Sequence, residues 1–176
     1  MLIPVLAKLF ASLKIEGERG ITLLTMAEGL TVRRLAMTLA PSLFREIWPR
    51  TLEACGDIPV TTTKLVAITD HVLEGSRCRS FVEQLELVQK QGGEVPSMLE
   101  VVTLIALTYM HSSVRLYSTD PWTYTCGKKT VEWYKVVVGG FALSGGERYI
   151  PFGFSVIGTA NKGEEYGVSV MKTISN

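Results

Sequence analysis

The stretch VEWYKVVVGGFALSGGERYIPFGFSVIGTANKGEEYGVSVMKTI, Val131–Ile174, decides the fold class. Short runs of Val, Ile, Phe and Tyr alternate there with glycine-rich links, which is the texture of consecutive strands. Links this short let a strand only turn back on its predecessor, since a parallel neighbour needs a crossover of about a dozen residues. A mainly antiparallel sheet is therefore expected at the C-terminal end. Val131 to Val138 reads as one long strand. Phe141 to Leu143 leads into Ser144-Gly145-Gly146-Glu147, a hairpin signal before Arg148 to Phe152, and Phe154 to Thr159 continues the sheet. Tyr166 to Ile174 alternates Tyr166, Val168, Val170 and Ile174 against Gly167, Ser169 and Thr173. That pattern puts Val168 on the core face and Ser169 on the opposite one. Val114 to Tyr117 fits an earlier strand.

Working outward, the period upstream is that of helices. Leu2, Leu6, Leu9 and Leu13 share one helical face, with Lys8 and Lys14 off it and Pro4 tolerated in the first turn. Ile21 to Glu28 and Thr31 to Ala40 read as two further helices parted by Gly29, and Ser42 as the cap of a short one through Ile47. Trp48-Pro49 forces the chain extended, Thr51 to Val60 is loop-like, and Lys64 to Leu73 fits strand or helix and is read as helix. Two capping boxes, Ser80 with Glu83 and Ser97 with Glu100, open helices. Gly92-Gly93 ends the first, and the second, Met98 to Met110, is apolar on almost every face, as a helix buried on both sides would be. The expected fold is α+β, with N-terminal helices packed on a C-terminal antiparallel β-sheet, in a single domain over 1–176 whose helical part is about 1–112 and sheet part about 113–176.

Composition narrows the function classes. The 176 residues are 47% hydrophobic and 20% charged, with a mean hydropathy of +0.24, which is apolar for a chain this small. Such a surface calls for cover by a second copy, another protein or a membrane surface. Lys and Arg number 18 against 17 Asp and Glu, so a net charge of +1 creates no global pull towards nucleic acid. Cys55, Cys78 and Cys126 are an odd, widely spaced set, which fits free thiols in a reducing cytoplasm. Leu2 to Leu13 contains Lys8 and no small-residue cleavage site after it, so it is not expected to act as a signal peptide. Met98 to Met110 falls short of the roughly 20 apolar residues that a membrane-spanning helix needs.

The chemistry-bearing motifs are weak. Gly140 and Gly145 have the spacing of a phosphate-binding loop, but Gly146 and Glu147 stand where its lysine and hydroxyl belong, and a carboxylate there repels phosphate. Arg34-Leu35-Ala36-Met37-Thr38-Leu39-Ala40-Pro41-Ser42-Leu43-Phe44-Arg45 is similar to a helix-and-proline phrase of Rho-class GTPase-activating domains. That family is all-helical, which the C-terminal strands oppose, and no functional residue is carried over from it. Asp70, His71, His111 and the three cysteines supply the atom types of a thiol nucleophile or a zinc site without the ligand spacing. Arg33-Arg34, Arg77 with Arg79, and Lys128-Lys129 among Trp122, Tyr124, Trp133 and Tyr134 have the composition of a nucleic-acid surface, and equally of a sheet edge.

The expected role is accordingly non-enzymatic: a structural or interaction protein that self-associates or docks in an assembly, of a viral matrix type or another virion assembly type. No catalytic residue, metal or cofactor is expected. The alternatives are a small ligand-binding or enzymatic domain with a pocket between helices and sheet, and a nucleic-acid binder. The expected partners are a second copy or another protein, and the face of Leu2, Leu6, Leu9 and Leu13, flanked by Lys8 and Lys14, is the first candidate surface, for docking a partner chain or a lipid interface, the alternative being that this helix packs on the protein's own core. The basic and aromatic patch of Arg33, Arg34, Lys128, Lys129, Trp122 and Trp133 is the second candidate surface.

Overall fold

Ser80 and Ser97 each precede a glutamate by three residues, and each opens a helix as read. The computed structural model describes residues 13–14, 20–39, 42–143 and 152–174. In it Ser80 caps α3 (Phe81–Lys90) and Ser97 caps α4 (Met98–Ser112), both through complete capping boxes. Two shorter helices precede them. Helix α1 (Val32–Leu39) has Thr31 Oγ1 accepting from Arg34 N–H at 3.1 Å, and α2 (Pro49–Cys55) starts at Pro49 directly after an extended Trp48.

The strands are more numerous, and lie further upstream, than the sequence pattern suggests. Ile21 to Glu28 and Lys64 to Leu73, both read as helix, hold β2 (Ile21–Met26) and β4 (Lys64–Thr69), and they pair with each other from Ile21↔Thr69 to Met26↔Lys64. Six-residue runs of mixed Leu, Thr, Ile and Val are long enough for a strand and too short for a helix to hold without help. Strand β1 (Leu13–Lys14) pairs with β2, so the chain is extended at the end of the expected N-terminal helix. Leu2, Leu6, Leu9 and Lys8 lie outside the described residues.

Ser42 to Ile47 is likewise not a helix. It carries β3 (Phe44–Ile47), because the Phe44 ring packs on Phe154 at 4.7 Å and the strand finds a parallel neighbour there. Val114 to Tyr117 is irregular, with Ser113 and Tyr117 at positive φ. The long strand expected from Val131 to Val138 is broken by a two-residue turn, Glu132-Trp133, between β5 (Tyr124–Val131) and β6 (Tyr134–Ala142). Strand β7 (Gly153–Thr159) returns antiparallel to β6 as expected, and the hairpin residues 144–151 lie outside the described residues.

The last expected strand is divided. β8 (Tyr166–Gly167) joins β5 in parallel, whereas β9 (Met171–Ile174) joins β4, so the chain crosses from one sheet to the other between them. Val168 and Ser169 are both fully buried at that crossing, and the simple alternation expected for them does not hold. Ser169 Oγ is 2.7 Å from the Tyr117 hydroxyl and donates to the His71 carbonyl at 3.1 Å, which is how a serine is accommodated in the interior.

The result is mixed α+β with helices interspersed among strands, in place of a helical half and a sheet half. One sheet has the order β1-β2-β4-β9 and the other β3-β7-β6-β5-β8. Helix α4 runs between them: every residue from Met98 to Thr108 is buried, and its apolar residues form one cluster with Leu24 and Ile68 of the first sheet and Val136 and Phe154 of the second. Two apolar walls explain the all-round apolar sequence of α4, and each fully buried Leu or Ile on it contributes about 1.5–3 kcal/mol. Helix α3 covers part of the far face of the second sheet, with Phe81 against Tyr124, Cys126 and Val137. Among the described residues no helix is long and apolar enough to cross a membrane.

Candidate functional site

Trp48 and Trp133 enter the structure from opposite ends of local rules. The indole of Trp48 is set by Pro49, which holds the tryptophan backbone extended; its Nε1 donates to Glu46 at 3.0 Å. Trp133 is set by the turn between β5 and β6, where Val131 pairs with Tyr134 and Glu132 adopts φ +53°. A glutamate in the left-handed region costs on the order of 1 kcal/mol, and strain of this kind concentrates where a side chain must be held in a particular place. Here it projects Trp133 outward, 74% exposed.

The two indoles meet through Tyr134. Its ring lies edge-on to both, with centroids 5.9 Å from Trp48 and 5.9 Å from Trp133. Tyr134 itself is buried and packs over Gly158, where any Cβ would collide with its ring. Its hydroxyl is one of three buried side-chain oxygens without a hydrogen-bond partner among the described residues. Beside this aromatic tip Arg50 Nη1 reaches Glu132 Oε2 at 3.1 Å, an exposed pair that adds little stability but supplies a polar rim. Trp48 is 37% exposed, so the tip presents an apolar, rigidly braced surface.

The basic residues singled out in the sequence do not form one electrostatic patch with these tryptophans. Arg33 Nε pairs with Asp57 at 2.9 Å and Arg34 Nη1 donates to the Gly29 carbonyl at 2.8 Å, so both serve the loop contacts of α1. Trp122 stacks on Tyr124 at 6.1 Å with Arg45 above its ring at 5.2 Å, and Arg45 also donates to Ser155 and Gly140. Burial pushes the Tyr124 phenol up, opposed by the charge of Arg45. Sequence reading missed Arg45 in this cluster, because its partners stand about eighty residues or more away in the chain.

Lys128 and Lys129 stand instead at a cavity of about 270 Å³ between the start of α4, the loop after α2 and the start of β4. Its floor holds Glu100, whose carboxylate accepts from Lys64 Nζ at 2.6 Å and from Ser97 N–H at 2.6 Å. Lys128 pairs with Glu94 at 2.9 Å and holds that carboxyl below its usual range. Cys55 lines the wall, and burial pushes its thiol up while the charge of Lys129 draws it partly back.

A second, more open cleft contains the Asp70–His71 pair, joined by Nδ1 and Oδ1 at 2.9 Å, with Arg77, Arg115 and Tyr117. Of the three cysteines named with His71 in the sequence, Cys78 is exposed and none lines this cleft. Burial keeps Cys126 protonated, its pKa pushed up to about 12, and His111 sits exposed in the last turn of α4. No group of three His, Cys, Asp or Glu suited to a metal ion occurs among the described residues. Gly139 and Gly140, the start of the phosphate-loop-like phrase, serve a bulge in β6: both have positive φ, and a Cβ on Gly140 would strike the Tyr124 hydroxyl.

No protein-family model matches this chain, and no curated protein or solved structure matches it either.

Proposed function

We propose that this chain is a non-enzymatic interaction protein that self-associates through the aromatic tip of its five-stranded sheet. The observation that carries the reading is the Trp48–Tyr134–Trp133 chain, in which one indole is 74% and the other 37% exposed while the ring between them is buried. Exposed tryptophans on a rigid brace, with Arg50 and Glu132 at the rim, have the make-up of interface hot spots, where Trp, Tyr and Arg dominate the binding energy. A net charge of +1 sets up little repulsion between copies, and a closed dimer about a two-fold axis would bury both tips at once.

The test is molar mass by light scattering across a concentration series. The native chain should pass from monomer to dimer, and Trp133→Ala should weaken the dimer by about 1–2 kcal/mol per copy without lowering the melting temperature. Met37→Ala, which removes an equally exposed apolar side chain from α1, should leave the association unchanged. A native chain that stays monomeric at the highest concentration, or a Trp133→Ala chain that dimerises as well as the native one, overturns the reading.

A further inference from the structure

The cavity at the start of α4 has a charge arrangement that apolar packing does not account for. Its walls include Met26, Ile58, Val60, Met98 and Leu99, while three lysines, Lys64, Lys128 and Lys129, stand around it against one lining carboxylate, Glu100. Glu100 is committed: one oxygen accepts from Lys64 and the other from the Ser97 N–H. Lys128 is matched by Glu94. Lys129 has neither a hydrogen-bond nor an ion-pair partner among the described residues, yet its charge acts on the Cys55 thiol in the cavity wall. A largely apolar recess, partly open to solvent and bordered by one exposed ammonium without an ion-pair partner among the described residues, is complementary to a molecule with an apolar body and one negative charge.

We propose that this cavity binds a small organic monoanion, an aliphatic or aryl carboxylate, with its apolar body against Met98 and Leu99 and its carboxylate at Lys129. The volume sets the size. About 270 Å³ admits a body of the order of ten non-hydrogen atoms, at the roughly 30 Å³ that a water molecule occupies. Release of water from the apolar wall drives binding of the body, and the lysine selects the anion over neutral and cationic molecules of the same shape. The site is independent of the aromatic tip and requires no second copy of the chain.

Octanoate is the probe, measured by titration calorimetry on the native chain beside 1-octanol, which has the body without the charge, and acetate, which has the charge without the body. Octanoate should bind with one site per chain, and both controls should bind more weakly. Lys129→Ala should weaken octanoate by roughly three- to tenfold and leave 1-octanol unchanged, as expected for loss of one partly exposed charge-assisted contact. Ile58→Trp, which fills the mouth from an exposed position, should abolish binding of both. Lys64 is not a useful target, since its removal leaves Glu100 buried without its cation. Absence of octanoate binding at millimolar concentration, equal affinity for 1-octanol, or unchanged octanoate affinity in Lys129→Ala would each overturn the proposal.

Discussion

The two sheets flanking α4 meet the same helix and solve different problems. In the β1-β2-β4-β9 sheet only one face is closed: along β2, buried Leu24 and Met26 alternate with half-buried Leu23 and Thr25, and β4 alternates in the same way through Val66 and Ile68. In the β3-β7-β6-β5-β8 sheet both faces are covered in the middle, so β6 is buried almost without a break and its neighbours Val137 and Val138 belong to different clusters. The contrast teaches that strand periodicity reports how many faces are covered rather than whether a strand exists. One closed face gives alternation, and two closed faces give an unbroken apolar run.

Adjacent identical residues offer the sharpest way to break that comparison. Leu24→Ala should lower the unfolding free energy by about 2–5 kcal/mol, and Leu23→Ala by no more than about half as much, in proportion to the apolar area each buries. Val137→Ala and Val138→Ala should each cost about 1–3 kcal/mol and agree to within about 1 kcal/mol, because both side chains are fully buried on opposite faces. Denaturant melts of the four variants decide it. Equal losses for the two leucines, or a large difference between the two valines, would show that the faces have been assigned wrongly.

Alkaline titration sharpens the same contrast. Cys126 lies under Phe81 on the outer face of the five-stranded sheet, and burial raises its pKa from the ordinary 9.0 to about 12. A raised value means that the folded state holds the proton more tightly. The corresponding stability is fully present below pH 9 and is lost as the pH climbs through about 12, at up to about 1.4 kcal/mol per pH unit in that window. Buried Tyr117, whose phenol is also pushed up by burial, adds to the loss at the upper end. Cys126→Ala should therefore flatten the fall in stability between about pH 9 and pH 11. An unchanged slope would mean that this face is open to water.

The smallest effect is expected at Tyr134. Since its buried hydroxyl has no partner among the described residues, Tyr134→Phe should leave stability unchanged or raise it by up to about 1 kcal/mol. A loss of more than about 1 kcal/mol would reveal a partner for that oxygen and a different packing of the aromatic tip.

Legibility in the sequence followed the range of the interactions. Both capping boxes were readable because a serine and a glutamate three residues apart complete each other's hydrogen bonds within one turn. The extended backbone at Trp48 was readable for a similar reason, as proline restricts the residue before it. The strands β2 and β4 were not readable, since six residues of mixed Ile, Leu, Thr and Val are ambiguous until the partner strand, about forty positions away, supplies the hydrogen bonds. Of the candidate residues, the sequence pointed to Trp133, Lys128 and Lys129, but neither the turn that exposes the tryptophan nor the cavity that Lys129 borders leaves a local signature.

What amino-acid order alone decided about this protein is therefore local: where α3 and α4 begin, that α4 is apolar on every side, and that strands crowd the C-terminal third. Tertiary structure decided the rest. It sent β8 and β9 into different sheets and buried Ser169 beside Val168 where the chain crosses between them. It placed the indoles of Trp48 and Trp133 on either side of Tyr134, and it set Lys129 at the border of a largely apolar cavity without an ion-pair partner among the described residues. The physical reason is that caps, proline and helical periodicity act over three or four residues, whereas sheet pairing, burial and electrostatic matching depend on groups that meet only when distant segments are folded together.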